Sequence, residues 1–299
     1  FPNHRDAHYL LGMLLEDAND FRGSETCFRK VTTLGPKDPR AWVALGRVLQ
    51  AEGKAEEALK ALRQAEKLSS DDPGLPVLLG NQYHLMVKYA EAIKYLLPAW
   101  RADTSDVGLA TRLATSYTAL KDTANLEAML QNLPKSILPE VQMSVGLAFV
   151  RMGEEGKGFT YLMEGASDRA GDFKAQRMLG DAMFGSALYE DAQRVYRNCL
   201  TLKPDDPETT FLLGRSMYED RRIAEARDTY LKVVQWMPSF AAAWFHLGIC
   251  HRALENTEEA REAFLKALKL EPKNPEALYN LGMVDLKTGG AAAAEGWFQ

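Results

Sequence analysis

The side chains able to do chemistry are few and scattered. Of five histidines in 299 residues, His4 and His8 stand four apart, the spacing that would turn two imidazoles to one helical face and let them share a zinc ion. A zinc protease needs a glutamate directly after the first of these; Arg5 stands there, and His84 is the only other histidine in the first half. The pair reads as a solvated N-terminal turn, and no metal or cofactor is expected. His246 and His251 are five apart and face differently. Adjacent carboxylates at Glu154-Glu155, Asp205-Asp206 and Glu258-Glu259 fall in turns and first helical turns, where negative charge favours the helix dipole, so they read as solvated surface rather than acid-base pairs. There is no Cys-x-x-Cys, no glycine-rich phosphate loop ahead of a helix and no Gly-x-Ser-x-Gly elbow. No catalytic machinery is expected in these residues.

Composition narrows the class further. A content of 46% hydrophobic and 26% charged residues is that of a folded, soluble protein, and a formal charge of -5 lacks the basic excess that nucleic acid or a membrane surface would require. No run approaches the ~20 apolar residues of a membrane span, so no membrane insertion is expected. Cys27, Cys199 and Cys250 are odd in number and sit within apolar helical patterns, which suits reduced thiols used as small hydrophobes and leans towards the cytoplasm. A periplasmic chain, or the exposed part of a membrane-associated one, is the alternative.

The elements that would position any site emerge from periodicity. Glycines at Gly12, Gly46, Gly80, Gly146, Gly180, Gly214, Gly248 and Gly282 recur every 34 residues, with Ala114 in the missing slot and a two-residue shortening after it. Each slot follows Leu or, once, Val145. Twelve residues on is a mostly small position, occupied by Ser24, Ala58, Ala92, Leu126, Gly158, Ala192, Ala226, Ala260 and Ala294. Four further on comes a bulky one: Phe28, Leu62, Leu96, Leu130, Leu162, Tyr196, Tyr230, Phe264 and Phe298. Apolar residues follow helical spacing on two successive segments, as in Trp244 to Ile249 and Ala260 to Leu268 around the polar turn at Glu255-Asn256-Thr257. That is a helical hairpin whose helices approach closely at the small residues. Asp38-Pro39, Asp72-Pro73, Asp206-Pro207 and Asn274-Pro275 each supply a cap and a first-turn proline, so a helix is expected to start at each.

These residues resemble the tetratricopeptide repeat, clearest in Trp42, Leu45, Gly46, Ala58 and Leu62 and in Trp244, Leu247, Gly248, Ala260, Phe264, Ala267 and Pro272. The resemblance runs over essentially the whole chain. It implies an all-α, right-handed α-solenoid of about nine stacked helix-turn-helix units over residues 5–299, at approximately 5–38, 39–72, 73–106, 107–138, 139–172, 173–206, 207–240, 241–274 and a truncated 275–299. It also implies that the first helix of each unit lines a concave wall where partners bind. The fourth unit, with Ala114 and Leu126 against the pattern, and the glycine-rich fifth, with Gly153, Gly156, Gly158, Gly165 and Gly171, mark either a bend near 121–171 or a tolerated divergent repeat, and the second reading is favoured. The ends, at Phe1 and inside a helix at Gln299, read as those of a piece of a longer protein.

On that implied wall two rows stand out. Three residues before the glycine slot are Tyr9, Phe211, Phe245 and Tyr279, a stripe of rings that either anchors apolar side chains of a peptide or packs between helices. Arg47, Arg112, Arg177, Arg215 and Arg252 either capture an acidic peptide or C-terminus, or pair with neighbours such as Asp181, Glu208 and Glu219. The Lys/Asn set with which chaperone-binding members hold a C-terminal carboxylate does not occur in three consecutive units, and the asparagine ladder of the sugar-transferase solenoids is represented only by Asn280. The expected function is a protein-interaction scaffold that binds a peptide or protein partner in the groove around Arg177, Phe211, Arg215, Tyr218, Phe245, His246, Arg252 and Tyr279. The alternative is a recognition arm of a larger enzyme such as a glycosyl- or sulfotransferase. Self-association through the unfinished last helix is a third expectation.

Overall fold

The structure, a computed structural model, describes residues 4–68 and 72–298, the side chains of 291–293 and 298 excepted. Among these residues the chain is all-helical. Residues up to Gly165 form one compact unit and residues from Ala166 a second. The first contains α1 (Arg5–Asp17), α2 (Phe21–Leu34), α3 (Pro39–Ala51), α4 (Ala55–Lys67), α5 (Leu75–Leu85), α6 (Tyr89–Ala102), α7 (Val107–Ala119), α8 (Thr123–Gln131), α9 (Leu138–Arg151) and most of α10 (Glu155–Asp168). The second continues with α11 (Phe173–Gly185), α12 (Tyr189–Leu202), α13 (Pro207–Glu219), α14 (Ile223–Trp236), α15 (Ala241–Ala253), α16 (Thr257–Leu270), α17 (Pro275–Lys287) and α18 (Ala291–Phe298). Within each unit odd and even helices form consecutive hairpins and, outside the fourth pair, the even helix of one pair packs on the odd helix of the next, as α2 on α3 or α14 on α15.

The glycine slot explains the pairing. A Cβ built on Gly248 would lie 2.7 Å from the Phe264 ring, and one on Gly46 would lie 2.5 Å from the Leu62 side chain. The odd helix thus offers bare backbone where the bulky residue of its even partner lies flat, and that residue is fully buried, as Phe28, Leu62, Tyr196, Tyr230 and Phe264 all are. The small slot closes the same contact from the other side: Ser24 is buried and donates its hydroxyl to the Gly12 carbonyl at 2.8 Å. Trp42 and Trp244 add a tie in equivalent places, each indole N–H donating at 2.9 Å to the carbonyl of Pro36 or Pro238 in the preceding loop.

Between the two helices of every pair stands one residue of left-handed backbone, always seven after the glycine slot: Asn19, Gly53, Val87, Lys121, Gly153, Ala187, Arg221, Glu255 and Gly289. At Val87, φ is 61°, and the two following bonds, Val87 N–H to the His84 carbonyl and Lys88 N–H to the Tyr83 carbonyl, close the helix end. Only glycine adopts this conformation freely, so a β-branched residue there holds local strain.

Helix starts follow the Asx-Pro signals in three of four places. Asp38 accepts from the Arg40 N–H, Asp206 from the Thr209 N–H and Asn274 from the Ala277 N–H. At Asp72-Pro73 the expectation is corrected: Asp72 accepts from the Gly74 N–H at 2.8 Å in a tight turn, and α5 begins at Leu75, with Pro76 taking the first-turn position.

The irregular middle has a packing explanation. With Ala114 in the glycine slot and Leu126 in the small slot, both buried, α7 and α8 cannot reach the usual close approach. α8 is only nine residues long, and α9 packs extensively and directly on α7. In the next pair Gly146, Gly158 and Gly165 are contact residues rather than slack. A Cβ on Gly146 would lie 2.7 Å from the Gly158 carbonyl oxygen, and one on Gly165 would lie 2.4 Å from the Pro139 carbonyl oxygen. Gly156 and Gly171 meet nothing within 4 Å.

Two outcomes follow for urea denaturation. Gly146→Ala lowers stability by about 2 kcal/mol, because its new methyl meets backbone, whereas Gly156→Ala raises it by about 0.5 kcal/mol. Val87→Gly raises stability by about 1 kcal/mol by relieving the left-handed strain; a loss would show that the Val87 side chain has a packing role.

Candidate functional site

The second unit carries every residue of the expected groove, and the structure divides them into packed and presented groups. Phe211 is only 9% exposed and lies against Tyr230, Phe240 and His246, with ring centroids 4.9 to 5.6 Å apart. Phe245, half-buried, meets Phe264 at 6.0 Å, and in the first unit Tyr9 meets Phe28 at 5.6 Å. In all three the ring before the glycine slot packs on the bulky residue of its own hairpin. Of the two readings open for this register, these three rings follow the packing one, though against their own hairpin. Tyr279 differs, being 57% exposed. Its counterpart bulky residue is Phe298, whose side chain lies outside the described residues, as does much of the surface invoked for self-association.

The arginines also divide. Arg47 donates through two nitrogens to Glu16 at 2.5 and 2.6 Å, tying α3 to α1. Arg177 on α11 lies 3.2 Å from Glu208 of α13 and within 3.9 Å of Asp206 and Asp181. Both are structural ion pairs between neighbouring hairpins. Arg215 lies 4.8 Å over the Phe184 ring, a cation held by an aromatic face. Tyr218, one turn further along α13, is half-buried. Arg112 and Arg252 form no ion pair with any described residue. Asn280 is buried and donates to the Glu276 carbonyl at 2.7 Å, so it serves its own helix rather than a ladder.

Around Arg252 a cavity of about 510 Å³ is also lined by Thr257, Met283, Val284, Leu286 and Lys287. Lys287 is engaged with Glu255 at 3.5 Å, which leaves Arg252 as the uncommitted charge. Beside it, Tyr279, Met283 and Leu286 stand at i, i+4 and i+7 on α17, and all are exposed. Met283 and Leu286 were missed from the sequence because they follow the Leu-Gly core register closely and read as core.

Potential chemistry elsewhere is muted by burial. Burial pushes the Cys199 thiol up to about 11, with Asp181 adding to the effect, and the Cys250 thiol up to about 12; all three cysteines are buried and free. His4 accepts from the Ala7 N–H and so caps α1. His246 stacks on Tyr230 and touches Phe211 and Phe245 edgewise. Burial, with the nearby Arg215 charge, lowers its pKa to about 4, so it is a neutral packing residue at neutral pH.

Because the folded value lies below the unfolded one of about 6.5, the unfolded chain takes up a proton first, and the stability contributed by neutral His246 is lost as pH falls from 6.5 towards 4. By pH 5 the loss is about 2 kcal/mol, and in urea titrations between pH 7 and 5 the variant His246→Phe shows a correspondingly shallower decline.

Comparison with known proteins agrees with this architecture. Family models described as Tetratricopeptide repeat match residues 1–73 and 177–236, 241–274, and 263–295. Among solved structures, "MamA 41-end from Desulfovibrio magneticus RS-1" is 22% identical over 54% of this chain and 90% of that chain, with a TM-score of 0.49. The "MamA RS-1 ArsTM double mutant" has the same identity and coverages with a TM-score of 0.50, and "Crystal structure of MamA protein" is 18% identical over 54% of this chain and 87% of that chain, with a TM-score of 0.49. At these identities the likeness is one of fold. No curated protein matches the chain. No described helix is long and apolar enough to cross a membrane. The glycine-slot hairpins and the family matches together make this chain a tetratricopeptide repeat protein, of the class whose repeats serve as protein-interaction scaffolds.

Proposed function

We propose that the chain binds a peptide segment of a protein partner on the inner face of α15 and α17, with large apolar anchors on the peptide and an acidic group beside them. One observation carries this reading: Tyr279, Met283 and Leu286 form an exposed apolar row on α17 next to a cavity that holds Arg252 without an ion-pair partner. Large apolar side chains in a row of this length are the anchors that dominate peptide affinity, and a neighbouring arginine offers a two-pronged grip on a carboxylate. The other expected groove residues hold the scaffold in shape: Phe211 and His246 as packing, Arg177 as a tie between α11 and α13, Arg215 against Phe184.

A random peptide library displayed on phage tests this directly. Enriched peptides combine two large apolar residues with Asp or Glu, and enrichment falls by about tenfold or more on Tyr279→Ala with Met283→Ala, and again on Arg252→Glu. These positions are exposed, so the variants stay folded by circular dichroism. Equal enrichment on parent and variants contradicts the reading.

A further inference from the structure

The direct packing of α9 on α7 has a chemical result. It brings Thr111, Arg112 and Thr115 of α7 and Ser144 and Arg151 of α9 onto one cavity of about 390 Å³, closed on another side by His84 at the end of α5. The rest of its wall mixes small residues, Ala119 and Ala148, with the larger Tyr89, Leu147 and Met152. Neither Arg112 nor Arg151 has an ion-pair partner among the described residues.

Nearby carboxylates are already engaged. Glu154 is held by Lys121 at 3.4 Å and Lys157 at 3.0 Å, and Asp122 caps α8 by accepting from the Asn125 N–H. In an acidic chain where Arg47, Arg177 and Arg215 are closed off by Glu16, by Glu208 and by the Phe184 ring, two unpaired arginines lining one cavity are an exception. Two positive charges lining one half-open cavity attract an anion more strongly than either would alone.

We propose that this cavity is a second binding site, which takes an oxyanion group carried by a polypeptide, a carboxylate or a phosphoryl group, between Arg112 and Arg151. Arg112 is half-buried and supplies a fixed fork; Arg151 is exposed and closes over the ligand from α9. Thr111, Thr115 and Ser144 bring hydroxyls to the same cavity, and the last two already donate to backbone carbonyls at 2.7 and 3.1 Å, so they turn to a ligand only by exchanging that bond. His84 completes the wall as a neutral group. Its Nδ1 lies 3.0 Å from the Ser116 hydroxyl, whose own proton goes to the Arg112 carbonyl at 2.6 Å, so Nδ1 carries the hydrogen. Burial, and then the Arg112 charge, keep its pKa below the usual histidine range, and an anion between the two would lessen the second effect. This site belongs to the first unit and does not rest on the reading of α17.

Fluorescence anisotropy with labelled, terminally blocked alanine-glycine peptides tests it. Three peptides carry one central phosphoserine, glutamate or serine, and a fourth carries serine with its C-terminal carboxylate free. The expected result is binding of at least one anionic peptide but not of blocked serine, with affinity falling about tenfold in Arg112→Gln and in Arg151→Gln and unchanged in Lys60→Gln, an exposed cation on α4 remote from the cavity lining. Competition by inorganic phosphate alone assigns the phosphoryl source, and preference for the glutamate or free-carboxylate peptide assigns the other. Arg151 is exposed, so its variant tests the site even if Arg112→Gln misfolds. The proposal is overturned if no anionic peptide binds at millimolar concentration, if both arginine variants bind like the parent, or if only a single-stranded oligonucleotide is retained.

Discussion

Everything in this chain depends on two antiparallel helices being able to touch at bare backbone. The glycine slot and the bulky residue sixteen positions later form one physical contact, a ring or leucine lying where a Cβ would stand, and seven hairpins repeat it among the described residues. The hairpin alone would leave apolar faces in water, so within each unit the even helices outside the fourth pair are covered by the odd helix of the next pair, and stability accumulates through neighbours. Because the contact is short-ranged and local, one pair can abandon it without loss of the others. The fourth pair does so, with Ala114 and Leu126, and the consequence is structural rather than merely tolerated: α9 takes up packing against α7.

The chemistry of the inner faces is decided by what internal contacts leave over. Rings in the register before the glycine slot lie against the bulky residue of their hairpin, and arginines within reach of a carboxylate on the next hairpin are neutralised by it. The arginines that line the two candidate sites have no ion pair among the described residues: Arg112 and Arg151 in the first unit and Arg252, beside the exposed row on α17, in the second. An interaction scaffold needs such residues to be few, since ion pairs and packing between hairpins hold its shape while the uncommitted groups supply recognition.

Much of the fold was legible in the sequence because its determinant is periodic: glycines in register announce close helix contacts, seven of them seen among the described residues, and Asp38, Asp206 and Asn274 announce helix starts. The left-handed residue between helices was not legible, because only three of its nine occupants are glycine and Val87 gives no hint of its φ. The site was less legible than the fold. Phe211 and Tyr279 occupy equivalent registers, yet one is buried and the other 57% exposed, a difference made by Phe240 and His246 on the neighbouring hairpin. Arg112 and Arg151 lie 39 residues apart, off the 34-residue repeat, and meet at one cavity only because the fourth pair departs from the pattern. Periodicity shows where repeats agree; a site built by a departure from it needs the third dimension.

The account turns on α7 packing directly against α9 while α8 is loosely held, and residue-resolved native-state hydrogen exchange measures this most directly. The prediction is that amides of α7 and α9 exchange at a common, high protection while those of α8 exchange much faster, in contrast to α5 and α6, which are protected together. Protection of α8 equal to that of α7, with α9 exchanging separately, would contradict it, for then the fourth pair would be an ordinary hairpin and the cavity between Arg112 and Arg151 would have no structural basis.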